Sequence, residues 1–309
     1  VIVVCGEALI DLVPDDSSGV RFTAIPGGSP ANTAIASARL GVPTALAARL
    51  SGDAFGRRLR AHLAGNGVDL SLAVAAAEAT SLAVVELDDG GGASYRFDLA
   101  GRADWQWTDD ELPTALPPDV DAVVAGSLAL ALPPGGRALE RFLVRARDSA
   151  TIVVDPNVRP SVVGDLARMR ADVDRWCGIA DVIKASSDDT QVLFPGEEPE
   201  AVARRWVSAG AGIVVVTLGG EGALGVTASG VVSVPAPPTT VVDTVGAGDT
   251  FTAGFLAWLH RARLLGGRLG GLNADNLQQA LTFGVRAAAI TCSRVGADPP
   301  YAHELSDLS

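Results

Sequence analysis

Short β-branched runs recur from one end of this chain to the other, separated by stretches of helical period. That alternation restricts the fold more than any other feature. The runs read "VIVV", "ALAARL", "AVVA", "TIVVD", "DVIKA" and "IVVVTL", with amphipathic segments such as "AFGRRLRAHLAGNG" and "AVARRWVSAGAG" between them. Apolar strands joined by crossover helices pair in parallel, which gives a layered α/β sheet. The 309 residues fit one large domain of this kind or two smaller ones. The helix expected over residues 31–40 is well punctuated: Ser29 as cap, Pro30 in the first turn, Gly41 as the stop.

Two segments, residues 11–26 and 82–107, have no helical period. The second reads as a hairpin, "SLAVVEL" and "ASYRFDL", around the turn "DDGGG". "SYRFDL" alternates polar and apolar, as a sheet with one open face requires. Together the two segments are expected to form one small β flap over a main domain that otherwise spans residues 1–309. No linker, internal repeat or low-complexity stretch interrupts it.

Composition narrows the function. A formal net charge of -12 argues against nucleic acid and anionic membranes as partners. A small anion can still bind a local backbone site. Cys5, Cys177 and Cys292 form no CxxC pair, which points to a reducing, cytoplasmic compartment. His62, His260 and His303 are too scattered to suggest zinc. "VIVVC" reads as a first strand rather than a signal peptide, and no apolar run is long enough to span a bilayer. Lys184 is the only lysine, which reads as a bias toward arginine.

The chemistry concentrates in "TTVVDTVGAGDTFTAGFLAW", residues 239–258. A strand ends near Thr244, and Phe251, Phe255 and Leu259 then repeat at helical spacing, so a helix starts at about Gly248. A helix start exposes unpaired N–H groups and partial positive charge. Gly246 and Gly248 let an anion approach those groups closely. Asp249 places a carboxylate in the same spot. It is either an acid complementing the helix dipole or a base that takes a proton from a hydroxyl attacking a phosphoryl group. Two other phosphate motifs fail. "GEGALG", residues 220–225, matches GxGxxG but runs into short strands instead of a helix, and no GxxxxGK[ST] occurs.

"DTVGAGD" resembles the C-terminal signature of the ribokinase-like sugar kinases, the PfkB family. "PGGSPANTAIASARLG", residues 26–41, resembles the N-terminal signature, "GEALIDL" the opening strand with the sugar-binding acid, and "VVVTLGGEGAL" and "ITCSRVGA" the nucleotide-side loops. The matches keep the family's order from residue 6 to 297. The resemblance implies a ribokinase-like three-layer α/β/α domain with a mostly parallel central sheet and a small β-sheet lid. It implies a kinase using ATP and Mg²⁺, with Asp249 as base and Gly246, Ala247 and Gly248 as the anion hole.

For the sugar it implies Asp11, Gly27, Gly28, Asn32 and Asp249, with Phe97 and Arg102 on the flap. "DPNVRP" resembles the D-x-N-x-R segment of the fructokinase and 2-keto-3-deoxygluconate kinase branches, adding Arg159. Read from the residues alone, Asp11 also fits a turn, Asn32 a helix-surface amide and Arg159 a solvated turn. On the nucleotide side the resemblance implies Thr217, Gly219, Gly222, Gly246 and Gly248, with Lys184 and Ser186. The family's Asn/Ser-x-x-Glu stands here as Ser186 and Asp189, one methylene shorter. Asp189 therefore either meets Mg²⁺ through water or sits in a helix first turn behind a Ser186 cap. Asp243 falls where many relatives hold a monovalent cation such as K⁺.

"YRFDLAGRADWQWTDDELP", residues 95–113, resembles bacterial fructokinases and favours D-fructose phosphorylated at O6. The alternatives are 2-keto-3-deoxygluconate, ribose or a nucleoside as acceptor, or a non-catalytic sugar or nucleotide sensor. The flap's apolar face either closes over ligand alone or also pairs two subunits as a homodimer.

Overall fold

The computed structural model describes residues 1–15, 21–87 and 93–308. The expected turn at 88–92 and part of the first flap segment, 16–20, lie outside the described residues. The large sheet runs, edge to edge, Gly230–Val234, Ala223–Thr227, Ile213–Thr217, Val182–Ser186, Thr151–Asp155, Ala122–Gly126, Ile2–Cys5 and Thr44–Ala47. From Ile213–Thr217 onward the pairing is parallel, and the first two strands add antiparallel.

Strand parity decides which core each side chain joins. Val3, Val123, Ile152, Ile183 and Val214 pack with Phe142, Trp176 and Trp206 on one face. Ile2, Val4, Val124, Val153 and Val215 pack with Phe251 and Phe255 on the other. Burial on both faces is why these strands read as unbroken apolar runs. Phe251, Phe255 and Leu259 are all buried on the helix Ala247–Arg261. That helix meets Ala274–Cys292 where a Cβ added to Gly254 would lie 3.0 Å from the Gly284 Cα. Glycine is needed there because the two backbones touch.

Several expectations are refined. The run "ALAARL" splits: Thr44–Ala47 joins the large sheet, while Arg49–Ser51 pairs with Val74–Ala76 in a separate two-stranded sheet. The "GEGALG" stretch forms a short 3₁₀ turn, Gly219–Glu221, and then the strand Ala223–Thr227. No helix follows it, so the dinucleotide fingerprint is absent there. The small sheet runs Phe22–Gly27, Leu9–Pro14, Leu82–Leu87, Ala93–Asp98. It begins before residue 11 and ends at Asp98, short of the expected 107. Residues 103–107 belong to the main body instead, because Trp105 and Trp107 are buried in its core.

Candidate active site

The cleft lies at the C-terminal ends of the parallel strands, where open α/β sheets bind ligands. Each strand delivers a side chain as it ends: Glu7 just after Ile2–Cys5, Asp155 at the end of Thr151–Asp155, Ser186 at the end of Val182–Ser186, and Thr217 at the end of Ile213–Thr217. The small sheet contributes Leu9, Asp11 and Phe97 to the same cleft, which encloses about 630 Å³.

Gly246, in the left-handed region at φ 74°, caps the helix Ala247–Arg261. A Cβ there would lie 2.6 Å from that of Ala297, so both conformation and space call for glycine. The first turn of this helix carries Asp249. Ser29 Oγ donates to its Oδ1 at 2.6 Å, and Asn32 Nδ2 donates to its Oδ2 at 3.0 Å. Both donors come from the helix Ser29–Arg39. Burial pushes the Asp249 carboxyl above the ordinary range, against the pull of Ser29, Asn32, Lys184 and Arg159 toward the charged form. Ser29 is not the cap expected from sequence. Gly28, at φ 104°, holds that position, and no side chain caps the helix. The Ser29 hydroxyl is freed to hold Asp249 instead.

Below Asp249 lies a buried ion pair, Lys184 Nζ to Asp155 Oδ2 at 2.9 Å. Burial raises the Asp155 carboxyl despite Lys184. For Lys184, burial opposes the charge, but Asp155, Asp189 and Asp249 outweigh it and raise its pKa. Asp11 is pushed up to about 6 by burial. Gly27 gives it room, since a Cβ on Gly27 would stand 2.1 Å from Asp11 Oδ2. Glu7, also buried, is raised to about 7.

Sequence reasoning did not single out Glu7, Asp155 or the site role of Ser29. The available signal was position. Glu7 and Asp155 stand at or just beyond strand ends inside the quoted "GEALIDL" and "DPNVRP". Asn157, at φ 39°, and Ser127, at φ 52°, both take left-handed backbone beside the cleft, and Asn157 Nδ2 donates to Ser127 Oγ at 3.3 Å. Such strain collects at functional sites.

Asp11, Gly28, Asn32, Phe97, Arg159, Lys184, Ser186, Asp189, Thr217, Gly219, Gly246, Gly248 and Asp249 all line the cleft. Arg102 does not. It pairs with Asp98 at the end of the small sheet. Asp189 answers to the capping description: its Oδ2 accepts from Ser186 N and Oγ, and its Oδ1 accepts from Val158 N at 2.7 Å. Asp243 ties two loops, accepting from Val245 N and from Gly296 N.

A second, mostly apolar cavity of about 420 Å³ adjoins the first and shares Thr217, Gly219, Thr244 and Gly248 with it. Its walls include Gly222, Ala236, Pro237, Val285 and Ala289, with Ala247 at the junction. Asp249 and the helix start thus stand where a polar cleft meets an apolar one. A buried carboxylate, a helix start and two cavities in that order suit transfer of an anionic group onto a hydroxyl.

Residues 1–304 match the family model described as pfkB family carbohydrate kinase. A fructokinase of Rhizobium leguminosarum bv. trifolii is 39% identical over 266 residues, 85% of this chain and 81% of the relative. An aminoimidazole riboside kinase of Salmonella typhimurium is 31% identical over 261 residues, 84% and 81% of the two chains. Among solved structures, a fructokinase with bound ATP from Xylella fastidiosa superposes with a TM-score of 0.88 at 26% identity, covering 99% and 97%. A double-mutant fructokinase from Vibrio cholerae O395, in fructose-, ADP- and potassium-bound form, gives 0.85 at 28% identity, covering 100% and 98%.

Proposed function

The chain belongs to the pfkB family of carbohydrate kinases, and within it we propose that it transfers the γ-phosphoryl of ATP to O6 of D-fructose. The observation that carries phosphoryl transfer is Asp249, held by Ser29 and Asn32 at the start of Ala247–Arg261 where the two cavities join. Fructose as acceptor is supported by the relatives named fructokinase.

In this reading the sugar lies in the polar cleft, with Asp11 and Asn32 accepting and donating to its hydroxyls beside Gly27 and Gly28. Phe97 closes over it, and Arg159 faces the reacting end. The adenine occupies the apolar cavity, and the phosphates run past Thr217 and Gly219 toward Gly248. Asp249 takes the O6 proton as the oxygen attacks. The N–H groups of Gly246 and Gly248 stabilise charge on the group in flight, whereas the Ala247 N–H expected beside them donates to Thr244 O at 3.2 Å.

Magnesium fits this site as a water- and phosphate-held ion. Among the described residues no group of three His, Cys, Asp or Glu is placed to hold a metal, and Mg²⁺ commonly keeps several waters beside substrate phosphates. Asp188 lines the cleft and is exposed. Asp189 would reach the ion through water only, its carboxylate already accepting from Ser186 and Val158. When bound, such an ion would neutralise charge on the phosphates. We assign Asp243 to a monovalent-cation loop, as its carboxylate joins Val245 to Gly296.

The small sheet acts as a lid. Its edge strand Phe22–Gly27 exposes Phe22 and Ile25, which suits pairing with a second subunit. A cytoplasmic setting is supported by three free cysteines, Cys5, Cys177 and Cys292. Among the described residues, no helix is long and apolar enough to cross a membrane.

The deciding experiment is a coupled ADP-release assay across ketoses, aldoses, keto-deoxy acids and nucleosides. Fructose should give the highest kcat/KM. A keto-deoxy acid or nucleoside that exceeds it would replace the acceptor, and no turnover with any of them would remove the kinase assignment.

A further inference from the structure

Asp104 is only 1% exposed and is not among the residues that line the cleft. A buried carboxyl costs free energy that an apolar side chain in its place would not, so its partners indicate what it is for. Oδ1 accepts from Ala8 N at 2.9 Å, and Oδ2 accepts from Ser81 Oγ. Ala8 and Ser81 immediately precede Leu9–Pro14 and Leu82–Leu87, the two inner strands of the small sheet. Ser81 O in turn accepts from Ile10 N at 3.1 Å. The strand that carries Asp11 into the cleft is therefore tied on either side of Leu9, directly at Ala8 and through Ser81 at Ile10. Asp104 itself is mounted on the body: Ala103 N donates to Ala79 O at 3.0 Å, and Trp105 packs in the main core. Arg49, the cation that draws Asp104 toward the charged form, donates to Gln106 O and to Glu78 instead. The two strand roots are what this carboxylate holds.

From this geometry we propose that Asp104 is a positioning residue for the acceptor, fixing the root of Leu9–Pro14 against the body and so setting where the Asp11 carboxylate stands in the cleft. The inference rests on the reading above in which Asp11 holds the acceptor, but not on the identity of the sugar. Asp104 touches no substrate. A strand released at its root can tilt or slide, and Asp11, three positions beyond Ala8, moves with it. The residue type fits the task. Two acceptor oxygens and no donor match one N–H and one O–H together, whereas asparagine offers a single acceptor oxygen.

A double-mutant cycle between Asp104 and Asp11 tests this, read on the acceptor chosen by the sugar panel. Asp104→Ala should lower kcat/KM for the acceptor by about 10²-fold, the effect of a small misplacement at a binding group. The KM for ATP should change little. Asp104→Asn, which keeps an acceptor for Ala8 N, should lose less. In an Asp11→Asn background, Asp104→Ala should cost under about 3-fold more, because the group it positions is already impaired. If Asp104→Ala does not fold, Ser81→Ala takes its place in the cycle. That change removes one hydroxyl, and its smaller loss should likewise vanish in the Asp11→Asn background. Losses that multiply in full across the cycle, or a KM for ATP that rises in step with that for the acceptor, would overturn the proposal and leave Asp104 a structural residue. Unchanged acceptor kinetics in the single variant would do the same. Failure of the kinase reading is distinguishable, since it shows in the wild type as no turnover with any acceptor.

Discussion

Asn32 Nδ2 lies 3.0 Å from Asp249 Oδ2, although 217 residues separate the two in the chain. With Ser29 on the other oxygen, the bond fixes the plane of the carboxylate at the helix start. It also joins two helices whose far ends are tied by Arg261, which donates to Leu40 O at 3.0 Å. A base needs orientation as well as basicity, because proton transfer depends on hydrogen-bond reach to the attacking hydroxyl. The N-terminal signature thus sets the geometry in which the C-terminal one works.

The first consequence concerns Asp249→Asn, which keeps shape and hydrogen bonding but accepts no proton. Turnover should fall by about 10²–10⁴-fold or more, with sugar binding little changed. Steady-state kinetics with chemistry limiting and a direct sugar titration check this. Retention of more than roughly a tenth of wild-type turnover would falsify the base assignment.

Ser29→Ala removes one donor that favours the ionised Asp249. Burial already raises this carboxyl, and Ser29 is the first of the groups pulling it back. Without Ser29 its pKa rises further. Because the base works ionised, the acid limb of the kcat/KM profile should move to higher pH, with turnover largely recovered in alkaline buffer. An unmoved limb would mean that Ser29 contributes nothing to the protonation of Asp249.

Much of this was legible in the chain because it rests on local rules. Strands buried on both faces must read as apolar runs, and Phe251, Phe255 and Leu259 had to face one core. What escaped depends on tertiary choice. Nothing in "ALAARL" marks where one strand leaves the large sheet, since Ala47 and Arg49 are both buried. Ser29 suited a cap by type, yet Gly28 took the cap because Asp249 lay within reach of the hydroxyl. Trp105 and Trp107 read as flap continuation by proximity, but their bulk gains more in the main core. Arg102 followed Asp98 rather than the cleft.

Asp189→Ala separates stability from metal handling. The carboxylate accepts from Val158 N and from Ser186 N, and the residue is buried. Leaving such an N–H unpaired costs about 1–3 kcal/mol. Denaturant unfolding should show a loss of that size, more than a merely dipole-complementing acid would give. A magnesium titration on the same variant tests the water-mediated role. A raised Mg²⁺ requirement at unchanged stability would overturn the capping account.

Acceptor affinity should depend on pH through Asp11, whose carboxyl burial lifts to about 6. A sugar hydroxyl donates best to the ionised form, so the KM for fructose should climb as pH falls through 6. Asp11→Asn should weaken binding and flatten that dependence together. A wild-type KM constant from pH 5 to pH 7, about one unit either side of the titration, would remove Asp11 from the sugar contacts.

The lid prediction follows from how little the edge of the small sheet buries, since Ile10, Ala83 and Val85 are buried only on its inner strands. Along Phe22–Gly27 the residues are exposed or half-buried, and only Gly27 is buried. Elements with so few buried contacts open at low free energy and exchange their amide hydrogens fastest. A sugar in the cleft would touch Asp11 and Phe97 from the small sheet and Asn32 and Asp249 from the body, so it favours closure. ATP would lie against Thr217, Gly219 and Gly248, which are all on the body, and lacks that leverage. Closure excludes water from the phosphoryl and leaves the sugar hydroxyl as the only acceptor. Fructose should therefore slow exchange across residues 94–102, with a smaller effect from ATP alone, and ATP hydrolysis without sugar should be negligible. Equal protection by ATP alone, or none by any sugar tried, would show that this sheet does not close over the acceptor.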